Sequence, residues 1–249
     1  MESAFLITWI ALLFIVLAAA FTQGLTGFGY ALVAAPLLLL IMEPRSVVVL
    51  NIIVPSLVCL LIVVQSREQV RFKGMVPIAV ASVFGVPLGG YVLLAISPEV
   101  LKLAIAALVV LFSIPLLLGY SRRFKSERLL SVVTGFISGF LSSSTSLSGP
   151  PVILFLVNQG WQREVMRASL AAYFLLGSVV SLGWLALSGV VTGEMVLTSV
   201  CLLPASVIGF VIGALALPRV NSELYRRIAV IIVMGAGLVS IFTTLGRLF

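Results

Sequence analysis

Two short polar stretches interrupt an otherwise apolar chain, and their residue types suit the capture of a small anion. The first reads Thr22-Gln23-Gly24-Leu25-Thr26-Gly27-Phe28-Gly29, and the second Ser142-Ser143-Ser144-Thr145-Ser146-Leu147-Ser148-Gly149-Pro150-Pro151. Irregular backbone at membrane depth persists only where protein buries it or a wet cavity meets it, because lipid offers its N–H and C=O groups no partner. Glycine permits unusual dihedrals, and Pro150 with Pro151 suits the first turn of a helix. N–H groups at a helix start, with Ser and Thr hydroxyls beside them, make a receptor for an oxyanion. The blander alternative is a serine-rich contact that only hydrogen-bonds across a bundle. Both stretches fall at corresponding points of the chain, which favours the receptor. Its candidate residues are Thr22, Gln23, Thr26, Gly27, Phe28, Gly29, Ser142, Ser143, Ser144, Thr145, Ser146, Ser148 and Gly149. Asn51 and Ser169 occupy corresponding places in the segments that follow, and each can face its stretch or bond to a neighbouring helix. Arg167 can meet an anion or reach back to the membrane interface.

The elements that position these residues must be membrane helices. With 61% hydrophobic and 9% charged residues and a mean hydropathy of +1.29, the chain is far more apolar than a soluble domain. About 20 apolar residues suffice to cross a bilayer, and no stretch remains for a soluble catalytic domain. The first span carries Glu2 but no Lys or Arg ahead of its apolar run, which argues against a cleaved signal peptide. Cys59 and Cys201 sit singly in apolar runs without metal-type spacing and read as small core residues.

The chain also repeats itself. Gly85, Gly89, Glu99 and Lys102 recur as Gly209, Gly213, Glu223 and Arg226, while Phe21, Gly24 and Pro36 correspond at a shorter offset to Phe136, Gly139 and Pro151. Residues 1–120 thus form a first membrane repeat, 121–128 a basic cytoplasmic linker and 129–249 a second repeat. Each repeat holds five elements. The first has Ala4 to Gln23, Gly29 to Met42, Val47 to Val64, Met75 to Ile96 and Glu99 to Gly119. The second has Leu129 to Ser142, Gly149 to Asn158, Arg163 to Leu187, Met195 to Leu217 and Glu223 to Leu245. The short second element predicts a broken or re-entrant helical hairpin followed by three transmembrane helices.

Charge decides the orientation. If each hairpin enters and returns, a half makes an odd number of crossings and the two halves are inverted. The Arg and Lys residues of 67–73, 122–128, 163–167 and 219–227 then share one side, twelve against the three at Arg45, Lys102 and Arg247. A single kinked crossing would divide the same fifteen seven to eight. The positive-inside rule selects the inverted arrangement, with both termini extracytoplasmic. The net charge of +7 needs no nucleic-acid partner. The expected fold is therefore an all-α polytopic membrane protein of two inverted five-element repeats, and the duplication reads as a transporter with substrate held between them. A homodimer is compatible with the sequence and not required by it.

Absent residues narrow the chemistry. The chain has no His, and its eight acidic residues, all Glu, fall at loops or helix ends. An intramembrane proton relay ordinarily uses a buried carboxylate or histidine, and the same lack argues against aspartyl and zinc proteases and most acid–base enzymes. The expectation is a protein that is not an enzyme and takes no metal or cofactor.

The Gly-Leu-Thr-Gly-Phe-Gly of residues 24–29, the Gly-Pro-Pro of 149–151, Arg167-Ala168-Ser169 and the glycine-bearing helices around Gly85 and Gly209 resemble the TauE/SafE family of sulfite and organosulfonate exporters. The likeness covers nearly the whole chain, with a Ser142–Ser148 turn richer in serine than the family pattern. It implies a multi-pass inner-membrane transporter of small sulfur-containing anions such as sulfite, sulfoacetate or related sulfonates. Two alternatives stay open: the same fold carrying another solute such as a carboxylate, or a membrane assembly factor that transports nothing.

Overall fold

The computed structural model describes residues 2–118 and 127–216, with Gly235 and Leu238 beyond them. The fifth element of the second half, most of the 121–128 linker and both termini lie outside the described residues. The described chain is helical, without a strand. Its elements are α1 (Glu2–Thr26), α2 (Tyr30–Leu38), α3 (Pro44–Gln65), a 3₁₀ turn (Arg67–Gln69), α4 (Phe72–Ala95), α5 (Pro98–Leu118), α6 (Glu127–Thr145), α7 (Gly149–Asn158), α8 (Arg163–Leu187) and α9 (Gly193–Ala216). The stretches Phe5–Thr26, Pro44–Gln65, Phe72–Ala95, Arg163–Leu187 and Gly193–Ala216 are long and apolar enough to cross a bilayer. This is a multi-pass membrane protein.

The second element is shorter than the expected Gly29 to Met42: α2 stops at Leu38 and the chain turns through 39–42, where Leu40 and Ile41 bond three residues back. The helix ends at the breaks depart the other way. α1 and α6 each continue about a turn past the expected boundary, so Gly24 to Thr26 and Ser143 to Thr145 are helical. Their hydroxyls explain it. Thr22, Ser144 and Thr145 donate to the carbonyls of Ala18, Phe140 and Leu141 four residues back, at 2.9, 2.7 and 3.0 Å. A hydroxyl bonded this way is compatible with helix, although the residue type reads as turn. The true breaks are therefore three residues each, 27–29 and 146–148. Beyond them α2 and α7 have only nine and ten residues, ~14 and ~15 Å, about half a hydrocarbon core.

Two helix crossings dominate the packing, and both are built on glycine. α4 lies along α6: Gly85 and Gly89 face the carbonyls of Phe136 and Phe140 so closely that a Cβ would collide with backbone, and Gly135 and Gly139 face those of Ile78 and Ser82. α1 lies along α9 in the same manner, with Gly209 on Leu17, Gly213 on Phe21 and Gly24 on Phe210. Residue numbers rise together along each pair, so the paired helices run in the same direction. Small residues permit such backbone-to-backbone approach, which lipid alone cannot drive. These glycines are used within the chain and are not available for a dimer contact.

The two crossings correspond position by position, and this corrects the alignment of the hairpins. Gly209 and Gly213 stand 124 residues after Gly85 and Gly89, while their partners Leu17 and Phe21 match Phe136 and Phe140 at an offset of 119. Pairing Phe21 with Phe136, as the sequence invites, is off by four residues. A helix repeats its face every 3.6 residues, so a slip of one turn still aligns glycine with glycine. At the offset of 119, left-handed Gly27 (φ 83°) falls on left-handed Ser146 (φ 60°), and Pro44, which opens α3, falls on Arg163, which opens α8.

The ends of the bundle are tied by polar contacts. The backbone N–H of Arg71, ahead of α4, donates to Ser169 Oγ on α8 at 3.0 Å, and the Arg71 guanidinium lies 6.0 Å over the Trp161 ring. Trp161 in turn packs on Gly74, leaving no room for a Cβ. The beginnings of α4 and α8 therefore share one end. At the other end of α4, Arg45 donates to Leu94 O at 3.0 Å.

Candidate substrate site

Between the two breaks lies a cavity of about 70 Å³, room for a solute of a few heavy atoms. Its wall is drawn from both halves: α1 gives Gln23, the first break and α2 give Phe28 to Leu32, and α3 gives Asn51, Ile52, Pro55 and Cys59. Ser82 and Val86 come from α4, Gly139 and Ser142 from α6, residues 146–150 and Ile153 from the second break and α7, and Tyr173, Phe174, Gly177 and Ser178 from α8. No charged side chain is among them.

Both short helices point their beginnings at this space. The first four N–H groups of an α-helix have no intrahelical acceptor. In α2 the residues that carry them, Tyr30, Ala31 and Leu32 with Gly29 before them, all line the cavity. In α7, Ser148, Gly149 and Pro150 do so, but Pro150 and Pro151 have no N–H to offer. The partial positive charge of two helix starts thus converges where no Lys or Arg of the described residues lines the space. The α2 end carries the greater number of free donors.

The breaks are held by specific bonds. Thr26 Oγ1 lies 2.8 Å from Thr22 O and 2.6 Å from Phe28 O, and accepts the Phe28 N–H at 3.3 Å, which folds the first break over its own hydroxyl. Tyr173 OH donates to Ser138 Oγ at 2.7 Å, and Ser138 Oγ donates to Ser148 O at 2.7 Å, fastening the second break to α6 and α8. Ser142 and Ser181 exchange a bond at 2.9 Å. Asn51 Nδ2 donates to Ser146 Oγ at 3.3 Å, joining α3 of the first half to the break of the second. Gln23 Nε2 donates to Cys59 Sγ at 3.3 Å.

Of the residues singled out from the sequence, Gln23, Phe28, Gly29, Asn51, Ser142, Ser146, Ser148 and Gly149 are brought together around the cavity. Thr22, Thr26, Gly27, Ser143, Ser144 and Thr145 are not in its wall. Ser143 donates to Val86 O at 2.6 Å, closing the α4–α6 crossing. Ser169 accepts from Arg71 at the end of the bundle. Arg167 also lies off the cavity: its Nη2 donates to Gly24 O at 3.2 Å and its stem covers Gly27, while Arg163 donates to Leu25 O at 3.2 Å. Two arginines thus hold the final carbonyls of α1, where cations are favoured. Tyr30, Ser82 and Tyr173 also line the cavity, each within an apolar run that only the fold brings to the breaks, and Cys59, which reads from the sequence as a small core residue, lines it too. Tyr30, directly after Phe-Gly, had a detectable signal in its place at a helix start.

Comparison with known proteins fits this arrangement. The family model for the sulfite exporter TauE/SafE matches residues 12–240. Comparisons with curated proteins and with solved structures gave no match. Helical throughout its described residues, with two broken hairpins around one cavity, and matched over nearly its whole length, the chain belongs to the TauE/SafE sulfite exporter family.

Proposed function

We propose that this chain is a secondary transporter that exports small sulfur-containing anions, such as sulfite, sulfoacetate or related organosulfonates, by alternating access between two inverted repeats. The observation that carries the reading is the convergence of the α2 and α7 starts on one cavity with no cation in its wall among the described residues. Such a site can replace the water around a monovalent oxyanion with N–H and O–H groups while binding it loosely enough to release it. An inward-negative potential favours outward movement of a monovalent anion by about 2.3 kcal/mol per 100 mV. The family is one of exporters, and nothing in this site requires enzymatic chemistry.

Inversion of the repeats draws support from the bond between Arg71 and Ser169 and the packing of Trp161 on Gly74. If each hairpin returns to its side of origin, the starts of α4 and α8 fall on the same face, as these contacts require. If each hairpin made one kinked crossing, they would fall on opposite faces. The basic side then faces the cytoplasm of an inner membrane, with the termini outside.

Efflux of sulfite from proteoliposomes tests the function, and absence of flux from monodisperse protein would favour an assembly factor. Competition by simple carboxylates in the same assay separates the other solute class. Orientation is read by an impermeant thiol reagent on single cysteines in a Cys59→Ser/Cys201→Ser background. Positions 68 and 162 are expected to label from one face, and 97 and 192 from the other. Labelling of 68 and 162 from opposite faces would sink the inverted topology.

A further inference from the structure

Three residues that line the cavity each bury one polar atom with no hydrogen-bond partner: Asn51 Oδ1, Gln23 Oε1 and Tyr30 OH. The residues are 3%, 2% and 2% exposed. A buried polar atom without a hydrogen bond is costly, so such atoms are few in folded proteins, and three around one small space call for a common partner. In this conformation the three atoms are themselves shut off from water-sized space. Each therefore carries its desolvation cost until something draws it to the cavity surface.

The sign of the partner follows from Asn51. Amide oxygen and nitrogen are told apart only through their bonds, and here the network decides. Ser146 Oγ donates to Thr145 O at 2.6 Å, so its proton is committed and it can only accept from Asn51. The Asn51 nitrogen must face Ser146 and the oxygen is left over. The left-handed backbone of Ser146 holds that hydroxyl in place. Gln23 repeats the pattern, with its nitrogen on Cys59 and its oxygen unpaired. An amide oxygen accepts and never donates. A fully deprotonated oxyanion also only accepts, and it would meet Asn51 and Gln23 oxygen to oxygen.

Resting on the reading of this cavity as the anion site, we infer that it selects anions that still carry a hydrogen-bond donor. One end of the solute is an oxyanion held by the N–H groups at the start of α2 and by the Tyr30 hydroxyl. The other is an O–H or N–H given to Asn51 Oδ1 or Gln23 Oε1. Hydroxy- and amino-sulfonates and the hydrogen-bearing form of an inorganic oxyanion belong to this class. A dianion without a proton does not, because it adds a second charge to a wall without cations among the described residues and leaves both amide oxygens opposed; of the anions proposed above, doubly ionised sulfoacetate is therefore the poorest fit and the hydrogen-bearing form of sulfite the better one. Asn51 and Gln23 are then specificity-determining residues rather than anchors of charge.

The test uses two sulfonates of equal charge that differ by one hydroxyl, ethanesulfonate and 2-hydroxyethanesulfonate, titrated calorimetrically against the full chain in detergent. Each is also tested as a competitor of sulfite efflux. The hydroxylated ligand is expected to bind about fivefold more tightly. That ratio is expected to fall towards one in Asn51→Leu and in Gln23→Met, whatever each variant does to the affinity for ethanesulfonate itself. Two variants on different helices keep the test open if one does not fold, and the wild-type ratio needs neither. Equal affinities for the two sulfonates, both competing with sulfite, would overturn donor selection and leave the anion site standing. Binding of neither sulfonate nor sulfite by monodisperse protein would overturn the site and the selection with it.

Discussion

The two breaks occupy equivalent places and solve the same problem with different residues. In the first, glycine supplies the left-handed position at Gly27, and the last carbonyls of α1 are taken from outside by Arg163 and Arg167. In the second, Ser146 adopts the left-handed position despite its side chain, and the hydroxyls of Ser143, Ser144 and Thr145 bond to carbonyls of their own helix or of α4. The first break is held by two arginine side chains of α8; the second is held by hydroxyls of its own half, together with Asn51 of α3 and the Val86 carbonyl of α4. The starts of the short helices differ as well, since α2 keeps its N–H donors and α7 replaces two of them with Pro150 and Pro151. Equivalent folds thus leave the α2 side as the stronger anion receptor and the α7 side as the better braced wall.

Substitution at the paired left-handed positions probes this difference most severely. Gly27→Val places a branched side chain at a φ of 83° and into the Arg167 stem, and should destabilise the fold by on the order of 3 kcal/mol, read as a large fall in thermal midpoint or no recoverable protein. Ser146→Gly keeps the dihedral and removes a hydroxyl, so the fold should survive while affinity for the best sulfonate falls by about 1 kcal/mol. A Gly27→Val protein as stable as wild type would end the claim that the first break needs glycine.

Arg167→Ala should come next, lowering stability by about 1.5–3 kcal/mol through the lost charge-assisted bond to Gly24 O, with anion affinity nearly unchanged. The reverse outcome, intact stability with weakened binding, would return Arg167 to the substrate and make the first break a direct cationic receptor.

Within the second break the serines should separate. Ser146→Ala is expected to weaken binding by about 1 kcal/mol, because Asn51 loses its acceptor, whereas Ser144→Ala should change affinity by less than about 0.5 kcal/mol, since its hydroxyl serves Phe140 O. Equal losses would put both hydroxyls at the ligand. Smallest of all, Gly149→Ala meets Ile153 and Phe174 at 3.4 and 3.5 Å, ordinary contact distances, and should be tolerated within about 0.5 kcal/mol in binding and stability.

These details mark what could be read from the residues alone. Apolar runs and their length placed the helices, and α7 and α8 begin and end where the runs do. The helix ends at the breaks were illegible, because Ser and Thr signal a turn until their hydroxyls are seen bonded four residues back. The slip of one turn in matching Phe21 was equally hidden, since only contact with Gly213 reveals which residue of the face is meant. At the cavity, Asn51 and Gln23 could be singled out as polar residues among apolar ones. Tyr173 and Cys59 could not, because their place depends on how α8 and α3 cross. Arg167 was marked by its charge, but its engagement with Gly24 belongs to a contact between distant segments.

The glycine crossings also govern how the chain can be made. Leu17 meets Gly209 and Phe21 meets Gly213, so α1 must wait for α9 to be made before its small-residue face is covered. α4, by contrast, is covered as soon as α6 follows it. Contacts so far apart in sequence form late, and a nascent chain stopped before α9 would hold Gly24 and its neighbours open in the bilayer to any passing helix. The interlocking that lets two halves share one cavity therefore leaves neither half able to finish alone.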